Sequence, residues 1–533
     1  MSGIGRASAL LASGTVVSRV LGFVKAIVIA DAIGNVASVS ADAYAVSTAV
    51  PNSIYAIIGG GLLSAILVPQ IVRASTAPDG GNAYVNKLVT LGLTGFLLVA
   101  TLATLAAPLL VRLFATDKLD LGLATAFAFW SLPQVFFLGM YALLGEVLNA
   151  RKAFGPFTWA PVANNLVGIA SVLTFVAVFG ADADRTGSDW TPGMIALFAG
   201  GGTLGLAAQA ILLFFFWRRV GLRFRPDFAW RGVGLGHVGR AAGWTFGMLV
   251  AGQIAGIIQT NVATLGTAEG AGPAALGNAW LIFMLPHSVI TVSLVTAFYT
   301  RMSEHATHGD TPALKSDISI AMRSVTLAMV LATAVLVVVS LPFARVFNTP
   351  FAEVQIMAAV ITAYVIGLVP FCLLFVVQRS FYALADTRTP FAFTMAQVVV
   401  VITGVLLSGL LPAEWIGVGI ATAVSVAGTL QLLLASWLLA RRIGRGAARG
   451  VGRSLLIDLG AVVPAGAVGA ALLFLLGGTV EDGFALSGKL PAILSLAAIA
   501  AAMTSVYGGA LVLLRSPDLM PVLARIIARL KRG

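Results

Sequence analysis

Two basic residues lie inside the first long apolar stretch of the sequence, and their chemistry suits anion binding. Arg19 and Lys25 fall within residues 7–33, a run that is otherwise apolar enough to cross a membrane. A charge at the centre of a bilayer costs at least a few kcal/mol, so such side chains face a protein interior or a water-filled cavity. Because no acidic residue accompanies them in the core of this helix, we expect the two cations to bind an anionic substrate.

The spacing of these cations leaves a second interpretation open. Six positions place Arg19 and Lys25 about 120° apart on an ideal helix. Gly22 lies between them and permits a bend that would direct both side chains into one cavity. In the alternative interpretation, Lys25 extends to the membrane interface and Arg19 pairs with a carboxylate elsewhere in the chain.

The composition identifies the solvent that surrounds these charges. Of the 533 residues, 59% are hydrophobic and only 10% are charged, whereas roughly a quarter of the residues of a soluble protein are charged. The bilayer must therefore surround most of the chain. We predict an all-α polytopic membrane protein with about fourteen membrane-spanning helices. The predicted spans are residues 7–33, 42–71, 87–113, 121–148, 158–179, 191–217, 239–264, 275–300, 318–341, 353–379, 391–411, 414–439, 455–477 and 491–514.

The distribution of charge among the loops predicts the orientation. The odd-numbered loops contain five basic and twelve acidic residues, and 26 of the 33 lysines and arginines fall in the even-numbered loops and the two termini. The positive-inside rule then places both termini in the cytoplasm. Arginine clusters beside membrane helices are typical of segments that bind anionic phospholipids. We expect no nucleic acid partner, because no aromatic-interleaved basic groove accompanies these clusters.

A weak internal repeat predicts two lobes of six helices. Pro51-Asn52-Ser53 in span 2 recurs as Pro286-His287-Ser288 in span 8, and residues 148–157 resemble residues 381–391. Six spans separate the paired elements, so the two copies have the same orientation and a site is expected between them. Chance similarity between proline-containing helices is the alternative. The predicted domains are lobes at 1–217 and 239–440, a basic cytoplasmic linker at 218–238, and a segment at 441–533 that holds a C-terminal helix pair.

Three further polar residues are candidates for a cavity or a gate. Asn52 follows Pro51 in span 2, where its amide lines a cavity or bonds a neighbouring helix. Asp42 is expected as an exposed acid at a helix end, with a cavity or gate role as the alternative. Glu146 either pairs with Arg151 five residues later or acts as a gate.

We expect neither an enzyme nor a resident metal or cofactor. The longest outer loop, roughly residues 180–190, is too short for a catalytic domain, and no HExxH motif or Ser-His-Asp set stands out. The four histidines are scattered, and Cys372 is the single cysteine. Transport that depends on the membrane potential or an ion gradient remains compatible with the sequence.

Several segments of the chain carry motifs of a known family. They are residues 18–25, 41–45, 50–52, 67–69, 148–151, 160–162 and 383–390. These segments resemble the MurJ (MviN) family of lipid II flippases, which belongs to the MOP exporter superfamily. The resemblance extends over nearly the whole chain and is strongest at the N-terminal motifs. Residues 280–306 look like the version found in high-GC Gram-positive bacteria.

This resemblance implies an alternating-access flippase of the bacterial cytoplasmic membrane. Its substrate would be lipid II, the undecaprenyl-diphosphate-linked peptidoglycan precursor, which it would move to the outer leaflet. By motif match, Arg19 and Lys25 would hold the diphosphate and Asn52 would line the cavity. Cell-wall synthesis proteins are implied as candidate partners.

The chain also departs from the family pattern. Tyr55 stands where the commonest form has an arginine, and Leu281 and Met284 stand where many relatives have an arginine and a glutamate. Other polar groups would have to replace the lost charge. The candidates are Gln253, Asn278 and His287. A polysaccharide-lipid or drug exporter of the same superfamily is one alternative function, and a non-transporting scaffold for cell-wall enzymes is another.

Overall fold

The computed structural model describes residues 3–59, 71, 74, 78–229 and 240–520, and the regular structure in these ranges is entirely helical. We number the α-helices in chain order. They are α1 (Gly3–Ile33), α2 (Val39–Gly59), α3 (Asn82–Leu105), α4 (Ala107–Phe114), α5 (Leu121–Ser131), α6 (Gln134–Ala150), α7 (Phe154–Phe179), α8 (Pro192–Trp217), α9 (Arg240–Ala263), α10 (Pro273–Pro286), α11 (Val292–Thr307), α12 (Thr311–Val338), α13 (Ser340–Arg345), α14 (Phe351–Val365), α15 (Leu368–Ala383), α16 (Arg388–Ser408), α17 (Ala413–Ile443), α18 (Val451–Leu475) and α19 (Lys489–Leu513).

The helices lie where the hydropathy pattern predicts membrane spans. Within the described ranges, 12 helical segments are long and apolar enough to cross a membrane, by length and composition. They coincide with predicted spans 3 to 14, and α1 and α2 lie at the positions of predicted spans 1 and 2. The prediction of an all-α polytopic membrane protein is confirmed.

Several predicted spans are continuous in hydropathy but broken in the structure, among them spans 4, 8 and 10. Span 4 divides into α5 and α6 at Pro133, because proline lacks the amide that would continue the helix. Span 8 divides at Pro286, which is followed by a π-helical turn, His287–Thr291. Hydropathy reports the environment of a segment, and it does not report the regularity of its backbone.

The break in span 10 depends on a side chain from another helix. Ser425 of α17 donates its hydroxyl to the carbonyl oxygen of Ala363 at 2.7 Å and to that of Tyr364 at 3.1 Å. A Cβ atom at Gly367 would lie 2.7 Å from the Ser425 hydroxyl, so glycine is needed for this approach. Carbonyl groups at a helix break inside a membrane need such a partner. Because Ser425 and Ala363 are 62 residues apart in sequence, the local sequence does not reveal this hydrogen bond.

The two turns of the predicted repeat share one backbone geometry. Lys152 follows α6 with a φ of 62°, and Ala385 follows α15 with a φ of 54°. In each turn the next amide donates to the carbonyl oxygen five residues earlier, at 2.9 Å and 3.0 Å. Residues other than glycine rarely adopt positive φ, so this match supports the repeat at the level of local structure. The symmetry of two whole lobes stays a prediction.

Packing divides the chain into two compact units. The first holds residues 1–268 and 272–274, and the second holds residues 269–271 and 275–533. The helix α9 packs against α2 and α4 and therefore belongs to the first unit, although the repeat assigned its span to the second lobe. A repeat describes the order of elements along the chain, whereas contacts depend on which helix faces are complementary.

The beginning of the predicted linker is docked along α3. Three polar side chains, each one helical turn from the next, accept hydrogen bonds from alternate amides of an extended segment. These bonds run from Arg223 to Asn82 at 3.1 Å, from Arg225 to Asn86 at 3.2 Å, and from Asp227 to Thr90 at 3.0 Å. Four helical residues rise about 6 Å and two extended residues span about 6.6 Å. The spacing of the side chains along α3 therefore matches the spacing of the amides along the extended segment. Residues 230–238 of the predicted linker lie outside the described residues.

Replacing Asn86 with alanine should release this segment and expose the bond after Arg223 to trypsin. The Asn86 side chain also donates to the carbonyl oxygen of Arg223 at 3.2 Å, so it holds the backbone through both of its polar atoms. Limited proteolysis followed by mass spectrometry should show faster cleavage in Asn86→Ala than in the unchanged protein. Thr94→Ala is the matched control, because the Thr94 hydroxyl donates within its own helix, to Thr90 at 2.8 Å. Equal cleavage of the two variants would contradict the docking.

Candidate functional site

A stripe of small residues seats α1 on α7 in the first unit. Gly14, Ser18 and Gly22 repeat at four-residue spacing, which lets membrane helices approach closely. A Cβ atom at Gly14 would lie 2.8 Å from the indole nitrogen of Trp159, and one at Gly22 would lie 3.8 Å from the Asn165 amide. The stripe fixes the rotation of α1 and so determines where its basic side chains point.

A hydrogen bond reinforces this packing beside the first cation. The side-chain nitrogen of Asn165 on α7 donates to the backbone carbonyl oxygen of Ser18 at 2.8 Å and lies 3.4 Å from the Ser18 hydroxyl. Amides inside membrane proteins are stabilised by such bonds between helices. Because Ser18 directly precedes Arg19, the bond holds the backbone from which the guanidinium projects.

Arg19 lines a cavity of about 230 Å³ whose walls come from α1, α6 and α7. Tyr141 and Phe157 form an aromatic wall: their rings stack with centroids 5.0 Å apart, and the Tyr141 hydroxyl donates to the Phe157 carbonyl oxygen at 3.0 Å. Within the described residues no ion pair engages Arg19, so the alternative in which it pairs with a carboxylate is not realised there. The residues lining the cavity are Thr15, Ser18, Arg19, Tyr141, Phe157, Thr158 and Pro161.

Lys25 lies further along α7, against Gly168. A Cβ atom at Gly168 would lie 2.7 Å from Cε of Lys25 and 2.9 Å from its Nζ, so the glycine makes room for the lysine side chain. Lys25 is half-buried and is not part of the lining of the Arg19 cavity. Pro161 and Gly168 are separated by about 10 Å along the helix. The two cations therefore occupy successive positions on one face of α7, and the expectation that they share one cavity stays a prediction.

A group of phenols and a carboxylate adjoins this cavity. Tyr55 of α2 lies within electrostatic range of Glu146 and of Tyr141, both on α6, and Tyr141 is part of the cavity wall. The expected partner of Glu146, Arg151, instead directs its guanidinium to the carbonyl oxygen of Gly80. Glu146 is half-buried and remains a candidate for a gate.

Asn52 is exposed on α2. Its side-chain nitrogen donates to the carbonyl oxygen of Thr48 in the same helix at 2.9 Å. In this conformation the amide is bonded along its own helix, and its role as a substrate ligand stays a prediction.

Asp42 is buried, which corrects the expectation of an exposed acid. The residue is 0% exposed, and it accepts hydrogen bonds from the Thr267 hydroxyl at 2.8 Å and from the Ala274 amide at 2.9 Å. Gly272 packs so closely on the carboxylate that a side chain at that position would collide with it. Asp42 thus ties the first turn of α2 to the segment that follows α9. Its partners lie 225 and 232 residues away in sequence, so the hydropathy pattern could not reveal them.

His287 is a packing residue in this conformation. It is 5% exposed, its Nδ1 lies 3.3 Å from the Cys372 sulfur, and its ring contacts those of Phe371 and Phe375 at centroid distances of 4.8 Å and 5.2 Å. These neighbours all belong to α15, and the π-helical turn after Pro286 directs the ring toward them. The structure does not place His287 in a substrate cavity.

The other candidates in α9 and α10 are half-buried. Gln253, Asn278, Leu281 and Met284 share this intermediate exposure, and their roles stay predictions. No group of three or more His, Cys, Asp or Glu side chains that could hold a metal ion occurs in the described parts of the chain.

Sequence reasoning missed Tyr141 and Gly168, which shape the surroundings of the two cations. Neither of them is charged, and each acts through a neighbour on another helix. The Gly14-Ser18-Gly22 stripe was a usable signal, because its spacing marks the face of α1 that approaches another helix. The partner helix and the residues on it could only come from the packed structure.

Comparison with known proteins identifies the family. The profile of the family described as "Lipid II flippase MurJ" matches residues 29–491. The chain belongs to the MurJ family. The match includes Asp42, Asn52 and Tyr55, whereas Arg19 and Lys25 precede it, so the importance of the two cations rests on their own motif and on their geometry.

Relatives and solved structures agree with this assignment. The probable lipid II flippase MurJ of Rhizobium meliloti (strain 1021) is 28% identical over 441 residues, covering 80% of this chain and 78% of the relative. The corresponding protein of Haemophilus influenzae (strain ATCC 51907 / DSM 11121 / KW20 / Rd) is 25% identical over 451 residues, covering 79% and 83%.

The fold itself is shared with two kinds of transporter. A solved lipid II flippase MurJ in an inward closed conformation matches with a TM-score of 0.70 and 19% identity, over 95% of this chain and all of that chain. An inward-facing multidrug resistance MATE transporter of the MOP superfamily matches with a TM-score of 0.57 and 15% identity, over 78% of this chain and 98% of its own.

Converting Asp42 to asparagine should lower the free energy of unfolding by about 1–3 kcal/mol. The carboxylate accepts from two donors, and an amide would turn its own donor toward one of them. Thermal unfolding of the purified protein in detergent measures the loss, with Asp31→Asn as the control because Asp31 is exposed. A Thr267→Val change should cost less in the Asp42→Asn background than in the unchanged protein, since the two residues share a bond. Unchanged stability of Asp42→Asn would show that the tie contributes nothing.

Proposed function

We propose that this protein moves lipid II from the inner to the outer leaflet of the bacterial cytoplasmic membrane by alternating access. The observation that carries the proposal is the Arg19 cavity. It presents a guanidinium with no ion-pair partner among the described residues, beside an aromatic wall, in a polytopic chain of the MurJ family. A cation kept at that depth without a carboxylate suits a site for an anion that arrives and leaves.

The two basic side chains would bind different anionic groups of the headgroup. A guanidinium binds phosphate through two parallel hydrogen bonds, whereas an ammonium acts as a compact point charge. Arg19 would hold the diphosphate, and Lys25, about 10 Å further along α7, would attract a second anionic group of the headgroup. The lipid tail stays in hydrocarbon, so only the polar headgroup needs the protected path.

The membrane potential and the charges of the loops would favour outward movement of an anionic substrate. We propose that both termini lie in the cytoplasm, as the positive-inside rule predicts. An inside-negative potential then favours export of negative charge by up to about 2.3 kcal/mol per charge for each 100 mV. The acidic residues of the odd-numbered loops would disfavour rebinding of a released anion, within the screening distance of about 8–10 Å.

Anionic phospholipids are proposed as further partners of the basic surface. A cavity of about 360 Å³ in the second unit combines apolar walls from Met322, Val377 and Leu439 with Arg445 and Arg449. Basic pockets of this kind between membrane helices bind lipid headgroups. Cell-wall synthesis proteins are proposed as partners only because they use the same substrate.

Export of a different molecule is the second candidate function. Tyr55, Leu281 and Met284 stand where the resemblance predicts charged residues, so fewer charged groups are available to hold a diphosphate. A less anionic lipid-linked saccharide would suit such a cavity. Accumulation of lipid II in the inner leaflet of depleted cells, and its relief by this protein, separates the two functions.

In cells depleted of their own lipid II flippase, Arg19→Ala should abolish complementation, because the cavity loses its cation. Lys25→Arg should complement and Lys25→Glu should fail, since the expected role of Lys25 is positive charge near an anion. Growth and inner-leaflet lipid II are the measurements, with membrane levels of each variant as the control. Normal growth with Lys25→Glu would remove Lys25 from the site.

Gly168→Ala should impair transport without altering any charge. The new Cβ atom would lie 2.7 Å from Cε of Lys25, so the lysine side chain has to move. Gly95→Ala is the matched control, because a Cβ atom at Gly95 in α3 would meet nothing within 4 Å. Initial flipping rates in reconstituted vesicles give the comparison, and wild-type rates in Gly168→Ala would show that this contact does not position Lys25.

A further inference from the structure

A carboxyl group lies fully buried in the C-terminal helix pair of the second unit. Asp458 of α18 is 0% exposed, and among the described residues neither of its carboxyl oxygens has a hydrogen-bond partner. It lies seven residues, about 10 Å, inside the first residue of the helix. An ionised carboxylate without a partner is very unfavourable in such an environment, so the group must hold either a counter-cation or a proton.

The nearest basic side chain, Arg323, forms an ion pair with a different acid. Arg323 of α12 pairs with Asp518, with its Nε 3.4 Å from a carboxylate oxygen. Ser454, one turn before Asp458 on α18, also donates its hydroxyl to Asp518. Asp518 thus has a basic partner of its own, and it lies close enough to Asp458 to act on it electrostatically. A like charge nearby disfavours ionisation of the second acid.

The hydroxyl of Tyr507 on α19 lies beside Asp458, but its proton is used elsewhere. That hydroxyl donates to the carbonyl oxygen of Leu327 in α12 at 2.9 Å. A phenol has one donor and can still accept a hydrogen bond. Tyr507 can therefore accept a hydrogen bond from a neutral carboxylic acid at Asp458, whereas it has no second proton to donate to a carboxylate.

The other described groups around Asp458 supply no counter-ion. The helices packed against α18 are α12 and α19, which present Arg323 and Tyr507, and the segment after α19 presents Asp518. Arg453 of α18 itself is exposed. A small cation would need several oxygen ligands, whereas a proton on Asp458 needs only the single acceptor that the Tyr507 oxygen offers.

We propose that Asp458 is a proton-binding site, neutral in this conformation, with its carboxyl hydroxyl directed to the oxygen of Tyr507. Proton release would leave an unpaired carboxylate between α12, α18 and α19, so ionisation requires these helices to loosen and admit water. The packing of the C-terminal pair is in this way sensitive to pH. The inference does not depend on the proposed lipid II activity, because none of its residues belongs to the Arg19 cavity.

Infrared difference spectroscopy of the full-length protein in vesicles tests the protonation state directly. The spectrum of the unchanged protein minus that of Asp458→Asn, at pH 5 in sodium-free buffer, should show the carbonyl stretch of a protonated carboxylic acid. Asp317→Asn is the matched control: Asp317 is also buried, at 2% exposure, but Arg301 lies 2.6 Å from its carboxylate. Its difference spectrum should show a carboxylate band instead. A carboxylate band in the difference spectrum for Asp458→Asn would overturn the proposal.

Three additional measurements keep the test decisive. Asp458→Glu, which retains the acid, should shift the protonated band rather than remove it, so an Asp458→Asn variant that fails to fold does not end the test. Replacing choline with sodium at constant ionic strength should leave the band unchanged, and its conversion to a carboxylate band would identify a cation site instead. Thermal stability should fall with rising pH more steeply in the unchanged protein than in Asp458→Asn, and identical pH profiles would contradict the coupling to helix packing.

Discussion

Polar groups inside the membrane must find their partners within the protein, because hydrocarbon offers neither donors nor acceptors. This constraint accounts for several contacts that appear unrelated along the chain. Ser425 satisfies the carbonyl oxygens at the break between α14 and α15, and Asn165 bonds the backbone of Ser18. Asp42 receives two donors from the segment after α9. In each case a long-range hydrogen bond fixes the geometry of a helix, so the polar residues of this protein specify its packing as much as the apolar ones do.

Steric fit then determines where the two cations can act. The stripe at Gly14, Ser18 and Gly22 lets α1 approach α7, and Gly168 leaves the space that Lys25 fills. Arg19 faces the cavity with the stacked pair Tyr141 and Phe157. Many glycines of a membrane helix have no close neighbour. These glycines leave space for a packed helix or for a lysine side chain, and so they position the two basic groups.

Two charged side chains without an ion-pair partner mark the sites that are proposed to bind an ion. Asp317 has Arg301 at 2.6 Å and Asp518 has Arg323 at 3.4 Å, and such pairs keep a buried acid ionised. Arg19 and Asp458 have no such partner among the described residues. The first faces a cavity that can admit an anion, and the second is enclosed, where only a proton fits. The same electrostatic cost therefore leads to two different forms of binding.

The sequence by itself determined the solvent, the helical class, the positions of the spans and the two cations, because hydropathy and charge are local properties that the bilayer enforces on each segment. It also indicated the repeat, whose turns at Lys152 and Ala385 share a positive φ. Only the tertiary structure decided that Asp42 is buried, that α9 packs with the first unit, and that Arg19 and Lys25 occupy separate positions along α7. Those outcomes depend on partners more than a hundred residues away, and side-chain contacts over such distances leave no periodic pattern in a single chain.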